Sequence, residues 1–259
     1  LELTATPFEE QQGGTVPFKN VVVDYPLSCA MDDGFVKEPA VVTQRNFDAA
    51  QHTIEEVETI KLMDGIRLHE STKVELLTYA HENDVNIVKP FMLVIARDTT
   101  HASELLTKLE EVFEGRYQGK VIQVDSSQSG AAEEEMITRL LAVESVDEPT
   151  EIVIHVNMLK EGWDVTNLYT IVPLRAANAR TLIEQSIGRG LRLPYGRRTG
   201  VEAVDRLSIV AHDKFQEIVD EANNPANPLR LKQVILERPE DDVKKENVHI
   251  TNSKHAVLM

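Results

Sequence analysis

Short apolar runs alternate with amphipathic segments of helical length through the second two-thirds of the chain. The apolar runs are rich in β-branched residues, as buried strands are: Phe91–Ala96, Gly119–Asp125, Glu151–Asn157, Leu168–Leu174 and Arg206–His212. Between them, His101–Phe113, Ala131–Val143 and the segment Ala179–Leu193 have the apolar period of helices. This alternation predicts an α/β fold with three layers, in which helices cover both faces of a mainly parallel sheet.

Segments with unusual polar residues follow four of the predicted strands. They are Arg97–Thr100, Asp125–Ser129, Asn157–Asp164 and Arg175–Arg180. In open parallel sheets, ligands bind beyond the carboxyl ends of the strands, in the loops that lead into the helices. We therefore expect the functional site at this edge.

Composition limits the classes of function. The chain has 259 residues, 42% of them hydrophobic, and a formal net charge of −16, which disfavours a general nucleic-acid coat. Arginines nevertheless outnumber acids between Arg175 and Arg206, so a local phosphate-binding surface stays possible. The single cysteine, Cys29, excludes an internal disulfide framework. No apolar run reaches the roughly 18 residues of a membrane span, and a cytoplasmic location fits these features.

The segment "QSIGRGLRLP" carries the most specific chemistry. On a helix, Gln185, Arg189 and Arg192 share one face, and Ile183, Ile187 and Leu191 share the opposite, apolar face. Two guanidiniums beside an amide suit a triphosphate, because arginine binds phosphate oxygens bidentately. Gly188 and Gly190 leave room for close backbone approach. The alternative is a solvated basic face with a frayed helix end, which is the commoner outcome for such spacing alone.

Three weaker motifs each have a simple structural alternative. "EGWDV" places Gly162 and Asp164 after a predicted strand, where they meet a ligand or merely accompany a packed tryptophan. "LTATP" puts Thr4 and Thr6 before a proline, which also describes an ordinary turn. The serines of "DSSQS", Ser126 and Ser127, contact phosphates or cap the next helix, and capping is slightly favoured. No G-x-x-x-x-G-K-[ST] loop and no metal-ligand motif occurs, so we expect no metal bound by this chain alone.

The first 90 residues have a less regular pattern. Asn20–Leu27 is a possible strand, and Phe47–Met63 and Thr72–Asn83 are predicted as two helices, the second capped by Ser71 or Thr72. The segment from Leu3 to Thr15 is predicted to be a strand end that continues into a loop. After Asn223 the chain is charged and rich in proline and asparagine, which indicates a linker or an edge elaboration of the sheet.

Taken together, the motifs resemble the second half of a superfamily 2 helicase motor. "LTATP" is similar to motif III, "FMLVIARDTTHA" to motif IV, "VNMLKEGWDVTNLYTIVPLRA" to motif V and "QSIGRGLRLP" to motif VI. The succession of "KEGWDV", "GRGLRLPYG" and "AHDKFQEIVDEA" most resembles the Res (restriction) subunit of type III restriction–modification enzymes. The resemblance implies a RecA-like lobe over residues 91–222. Residues 1–20 would end a preceding lobe, residues 21–90 would hold a leading strand and a helical insertion, and residues 223–259 would extend toward a further domain.

The resemblance also implies roles for single residues. Arg189 and Arg192 would be arginine fingers that reach the γ-phosphate, and Gln185 would place the attacking water. Gly162, Asp164, Gly188, Thr4 and Thr6 would bind ATP or couple its state to movement. Arg97, Ser126 and Ser127 would contact the DNA backbone.

The expected activity is ATP-dependent DNA translocation or unwinding as part of a type III restriction enzyme. ATP with Mg²⁺ would be held mainly by an upstream lobe, so we expect the isolated chain to be inactive. The expected partners are double-stranded DNA, that upstream lobe and a methylation and specificity (Mod-type) subunit. Two alternatives stay open. One is a catalytically silent RecA-like module that binds DNA or a protein, and the other is a superfamily 2 helicase unrelated to restriction.

Overall fold

A computed structural model describes residues 8–11, 14–23, 25, 27–112, 115–124, 130–156, 165–174, 190–213 and 231–237. An antiparallel hairpin comes first, formed by β1 (Phe8–Gln11) and β2 (Gly14–Pro17). The main sheet contains β3 (Glu38–Gln44), β4 (Phe91–Ile95), β5 (Val121–Val124), β6 (Ile152–His155), β7 (Leu168–Pro173), β8 (Arg206–Val210) and β9 (Lys232–Leu236). The described helices are α1 (Leu27–Asp32), α2 (Ile54–Asn83), α3 (Thr99–Val112), α4 (Ala131–Leu141) and α5 (Glu202–Asp205), with a 3₁₀ turn at Ala49–Gln51.

Among the described residues, the main sheet has seven strands in the order β5-β6-β4-β7-β8-β3-β9, and every neighbouring pair is parallel. Parallel neighbours need crossover connections, and α2, α3 and α4 supply them on the two sides of the sheet. The predicted RecA-like α/β class is therefore confirmed, and the sheet is parallel throughout.

Alternate side chains of each strand enter two separate cores. Phe91, Leu93 and Ile95 of β4 pack on one face with residues of α4, whereas Met92 and Val94 pack on the other face with residues of α2 and α3. Both faces are buried, which explains why the parallel strands are continuous apolar runs in the sequence. These two cores make the three layers.

Helix α2 is the longest element and crosses from β3 to β4 over the sheet. It begins with a capping box, in which the Thr53 hydroxyl accepts from the Glu56 N–H and the Glu56 carboxylate accepts from the Thr53 N–H. It comes so close to β7 that a Cβ on Gly65 would lie 2.4 Å from Cγ2 of Val172. A glycine in mid-helix is thus required by packing against the sheet.

The structure corrects the prediction of a single strand at Asn20–Leu27. Residues 20–23 are irregular, their valines are exposed to solvent, and Leu27 begins α1. The strand lies further on, at Glu38–Gln44, between β8 and β9. Pro39 near its start hides it in the sequence, although proline is tolerated at the beginning of a strand.

The two predicted helices at Phe47–Met63 and Thr72–Asn83 are one helix, Ile54–Asn83. The predicted cap at Ser71 or Thr72 is also wrong, since both residues lie inside it. The Thr72 hydroxyl donates to the Leu68 carbonyl at 2.8 Å, a bond that threonine makes in mid-helix. The cap is Thr53.

Two further segments differ from the sequence pattern. Residues 8–17, expected to leave a strand and become a loop, pair as the hairpin β1–β2. In the tail after Asn223, the described part forms β9, an edge strand parallel to β3, so an edge elaboration is what the structure has there. The five strands predicted between Phe91 and His212 are present with slightly shorter bounds.

No helix in the described ranges combines the length and the apolar composition that a membrane crossing needs.

Candidate functional site

The carboxyl ends of β4 and β8 lie at one edge of the sheet, and the first half of α2 lies over that edge. We refer to this region as the carboxyl edge: residues 96–101 after β4, residues 211–213 after β8, and residues 54–64 of α2. Polar side chains of α2 contact both loops, since Glu58 pairs with Arg97 and Lys61 Nζ lies 2.8 Å from Asp213 Oδ1. The structure thus places Arg97 where the sequence predicts a ligand.

Arg97 is part of a small charged cluster. Its Nη1 donates to Glu58 Oε1 in a short ion pair. The Arg97 side chain is 43% exposed, whereas that of Glu58 is only 12% exposed. Together with Lys108 and Leu105 of α3, these two residues line an open groove between α2 and α3.

His101 lies beneath this pair and is almost fully buried. Its Nδ1 accepts from the Arg97 backbone N–H at 3.2 Å, and its Nε2 lies 3.4 Å from Glu58 Oε2. An accepting Nδ1 leaves the ring proton on Nε2, so the imidazole donates toward Glu58. Burial, and after it the positive charge of Arg97, lowers the pKa of His101, so the ring is neutral at pH 7. Asp98 caps the start of α3 by accepting from the His101 N–H at 2.8 Å.

A second polar cluster joins α2 to the ends of β8 and β3. Asp64 Oδ2 lies 3.0 Å from His212 Nε2 and accepts from Gln44 Nε2 at 2.7 Å, while Asp64 Oδ1 lies 3.1 Å from Arg67 Nη1. Burial raises the pKa of Asp64, but the hydrogen bonds from His212 and Gln44 outweigh it and hold the pKa below its usual value. The Asp64 carboxylate is ionised and hydrogen-bonded through both oxygens, so it links α2 to the ends of β3 and β8.

Nine of the predicted site residues fall outside the described residues. They are Thr4, Thr6, Ser126, Ser127, Gly162, Asp164, Gln185, Gly188 and Arg189. Their roles stay predictions. Of the predicted site, Arg97 and Arg192 are described.

Arg192 is exposed between two buried leucines, Leu191 and Leu193. The carbonyl of Leu191 accepts from the backbone N–H of Lys37, which directly precedes β3. Arg192 therefore lies near the amino ends of the strands, and Arg97 follows the carboxyl end of β4, so the structure does not bring the two together. The burial of Leu191 agrees with the predicted apolar face of its segment.

Gly190 has a packing role in the structure. A Cβ at this position would lie 2.8 Å from the Leu207 side chain and 3.2 Å from that of Leu168. The close approach predicted for this glycine is therefore an approach to the chain's own sheet.

The amino edge of the sheet holds a buried ion-pair network that the sequence pattern does not indicate. Glu151, directly before β6, lies 2.7 Å from Lys73 Nζ, 2.8 Å from Lys120 Nζ and 3.3 Å from His69 Nε2. Burial raises the pKa of Glu151, but hydrogen bonds from His69, Lys120 and Lys73 outweigh it and hold the pKa well below its usual range.

Within the described residues, a metal would find its closest set of ligands here, in His69, Glu70 and Glu151. The carboxylates are already engaged, since Glu151 accepts from two lysines and Glu70 from the Tyr117 hydroxyl at 2.7 Å. The arrangement neutralises a buried acid by ion pairing and is poorly suited to a cation.

Sequence reasoning missed Glu58, Asp64 and His212 as members of the carboxyl edge. Each pairs with a residue far away in the chain, as His212 does with Asp64 across 148 positions. Of the three, His212 lies in a segment that the resemblance includes, "AHDKFQEIVDEA", whereas Glu58 and Asp64 lie in none of its quoted motifs.

Comparison with known proteins gives sequence relatives among restriction enzymes. The chain is 25% identical over 185 residues to the EcoPI Res subunit, from a type III restriction–modification enzyme of Escherichia phage P1, which covers 68% of this chain and 18% of that protein. It is 42% identical over 50 residues to the EcoP15I Res subunit of Escherichia coli, which covers 19% of this chain and 5% of that protein. The matched regions thus span less than a fifth of either relative. No protein-family model matches the chain.

A solved structure with the same fold is a fragment of an HsdR subunit of a type I restriction enzyme from Vibrio vulnificus YJ016. It superposes with a TM-score of 0.52 at 21% identity and covers 85% of this chain and 41% of that chain. The resemblance to type III Res subunits inferred from the motifs is confirmed in sequence, and the chain has a RecA-like α/β fold.

Proposed function

We propose that the chain is the second motor lobe of an ATP-dependent DNA translocase of the type III restriction kind. The observation that carries the proposal is the 185-residue similarity to the EcoPI Res subunit, and it is supported by a parallel sheet in which Arg97 follows the carboxyl end of β4. In this function, Arg97, Ser126 and Ser127 contact the DNA backbone without reading sequence.

The nucleotide side of the proposal rests on the segment that ends at Arg192. Arg189 and Arg192 supply positive charge to the γ-phosphate, Gln185 orients water, and Gly162, Gly188, Asp164, Thr4 and Thr6 link nucleotide state to lobe movement. Arg192 is exposed, as a residue that reaches across a lobe interface must be. Bound ATP with Mg²⁺ would supply the phosphoryl group and neutralise its charge, and an upstream lobe would hold both. A Mod-type subunit would read the DNA site.

The test is DNA-stimulated ATP hydrolysis by the longer protein that the proposal requires, with Arg189→Ala compared with the wild type. Removal of an arginine finger lowers turnover by about 10³-fold or more in related phosphoryl transfer, and nucleotide binding should be largely kept. Arg197→Ala, an exposed arginine of the same region, is the matched control. Equal turnover in all three proteins would favour a silent RecA-like module that binds DNA or a protein.

A further inference from the structure

Glu58 of α2 forms an ion pair with the guanidinium of Arg97, the group that binds a DNA phosphate in the proposed function. We propose that Glu58 is a built-in competitor of DNA phosphate at Arg97, so that DNA must displace this carboxylate to engage the arginine. The proposal rests on the proposed function, because it presupposes that DNA binds at the loop after β4. It adds a residue of α2 that controls how strongly that loop binds.

The contact has the chemistry that a phosphate would use. Oε1 of Glu58 accepts a hydrogen bond from Nη1 of Arg97, and Oε2 of Glu58 lies 3.4 Å from Nε2 of His101. Carboxylate and phosphate both bind a guanidinium through charged oxygens, so each excludes the other from the same N–H groups.

The two partners of the ion pair differ in how firmly they are held. Glu58 is 12% exposed, and the neighbouring Thr59 is fixed to α3 by a hydrogen bond from Lys108 Nζ at 2.8 Å. Arg97 is 43% exposed and stands on a loop at the rim of the groove. The pair therefore opens at its arginine end, where a phosphate arriving from solvent could take over the guanidinium.

The groove does not attract phosphate while the pair is closed. Its charged lining consists of three carboxylates, Glu55, Glu58 and Glu104, and two cations, Arg97 and Lys108, and the chain as a whole carries −16. Affinity at this place thus depends on whether Arg97 is paired with the protein or with the ligand.

The experiment measures binding of this chain to a fluorescein-labelled DNA duplex by fluorescence anisotropy at low salt. The variants are Glu58→Gln, Arg97→Ala, the double variant, and Glu55→Gln as a charge-matched control that lines the same groove. We expect Glu58→Gln to lower Kd about fivefold, the upper range for a partly exposed ion pair. Glu55→Gln, which changes only the general field, should lower Kd less than about twofold. Arg97→Ala should raise Kd, and Glu58→Gln should give no gain in the Arg97→Ala background.

Each outcome separates this inference from the function beneath it. If Arg97→Ala weakens binding while Glu58→Gln weakens it or leaves it unchanged, DNA binds as proposed but Glu58 positions the arginine, and the competitor role is overturned. If Arg97→Ala binds like the wild type, or if no variant binds, the loop is not a DNA contact and both proposals fail. Thermal melting checks the fold. If the melting temperature of Glu58→Gln is more than about 5 °C below that of the wild type, Glu58→Asp is used in its place, because the shorter acid breaks the contact and keeps the charge. A lower Kd of Glu58→Asp for DNA supports the inference, and an unchanged Kd overturns it.

Discussion

Substitution of Gly65 by alanine sets two physical effects against each other in the middle of α2. Alanine improves an exposed helix by about 0.5–1 kcal/mol over glycine. At this position, however, the new Cβ would lie 2.4 Å from Cγ2 of Val172, where ordinary contacts begin at 3.4 Å. The helix must therefore move by about 1 Å away from a fully buried, β-branched residue of β7.

Overpacking of this kind costs about 1–3 kcal/mol, and the upper half of that range applies because Val172 cannot rotate away. After the gain in helix propensity, Gly65→Ala should lower the free energy of unfolding by about 1–2 kcal/mol, or the melting temperature by about 5 °C. Urea unfolding followed by circular dichroism measures it, with Ser71→Ala, exposed on the same helix, as the control that should be neutral or slightly stabilising.

A double-mutant cycle with Val172→Ala tests the reason for that loss. Val172→Ala alone should destabilise by about 2 kcal/mol through a cavity, and in that background the Gly65→Ala methyl fills the space and should cost nothing. Neutral or stabilising behaviour of Gly65→Ala alone, or strict additivity with Val172→Ala, would refute the close-contact argument.

Two further predictions concern buried charges. Glu151→Gln should destabilise by about 2 kcal/mol at pH 7, a figure below the usual value for broken buried pairs because both lysine partners keep some access to water. The folded pKa of Glu151 is depressed, so its contribution is present above the unfolded pKa and is lost as pH falls through the folded pKa. The melting temperatures of wild type and variant should therefore begin to approach each other only below about pH 4 and draw closer as pH falls further. Glu75→Gln, exposed on α2, should show neither effect. Burial lowers the pKa of Lys37, so as pH rises the folded state loses the ammonium proton at a lower pH than the unfolded state does. The free energy of unfolding of the wild type, relative to Lys37→Met, should therefore rise toward pH 10 by up to about 1.4 kcal/mol per pH unit. A difference in melting temperature that does not change between pH 7 and pH 10 would contradict this.

The strands from β4 to β8 were predictable because parallel strands are buried on both faces. Each strand is therefore a continuous apolar run. Polar residues follow soon after each run because the chain leaves the sheet there, at the carboxyl ends of the strands. Helices α3 and α4 were predictable because each packs one apolar stripe on the sheet, which gives its sequence a helical period of apolar residues.

Before Phe91, periodicity predicted the two ends of α2 as helical but missed its continuity, and it missed strand β3. A proline stands near the start of β3, and a glycine stands inside α2, and both residue types usually interrupt the element in which they occur. Only the tertiary contacts explain them, as the approach of Gly65 to Val172 shows.

Of the predicted site residues, the position of Arg97 at the carboxyl edge was predictable from the sequence, and its ion-pair partner was not. Arg97 is recognisable because it follows a buried strand. Its pairing with Glu58, 39 positions earlier, arises from the crossover geometry of α2 and is invisible to local spacing.

Helix α2 fixes the relative position of two loops that belong to strands on either side of β7. Its Glu58 holds Arg97 after β4, while its Lys61 and Asp64 hold Asp213 and His212 after β8. These helix residues recur at intervals of three, so one face of α2 makes both contacts. A segment outside the motifs of the resemblance thus contacts the arginine of the proposed DNA contact, and its Glu58 is the carboxylate that DNA would have to displace. For that reason α2 belongs to the candidate site, and a change in how it packs on β7 would be felt at both loops at once.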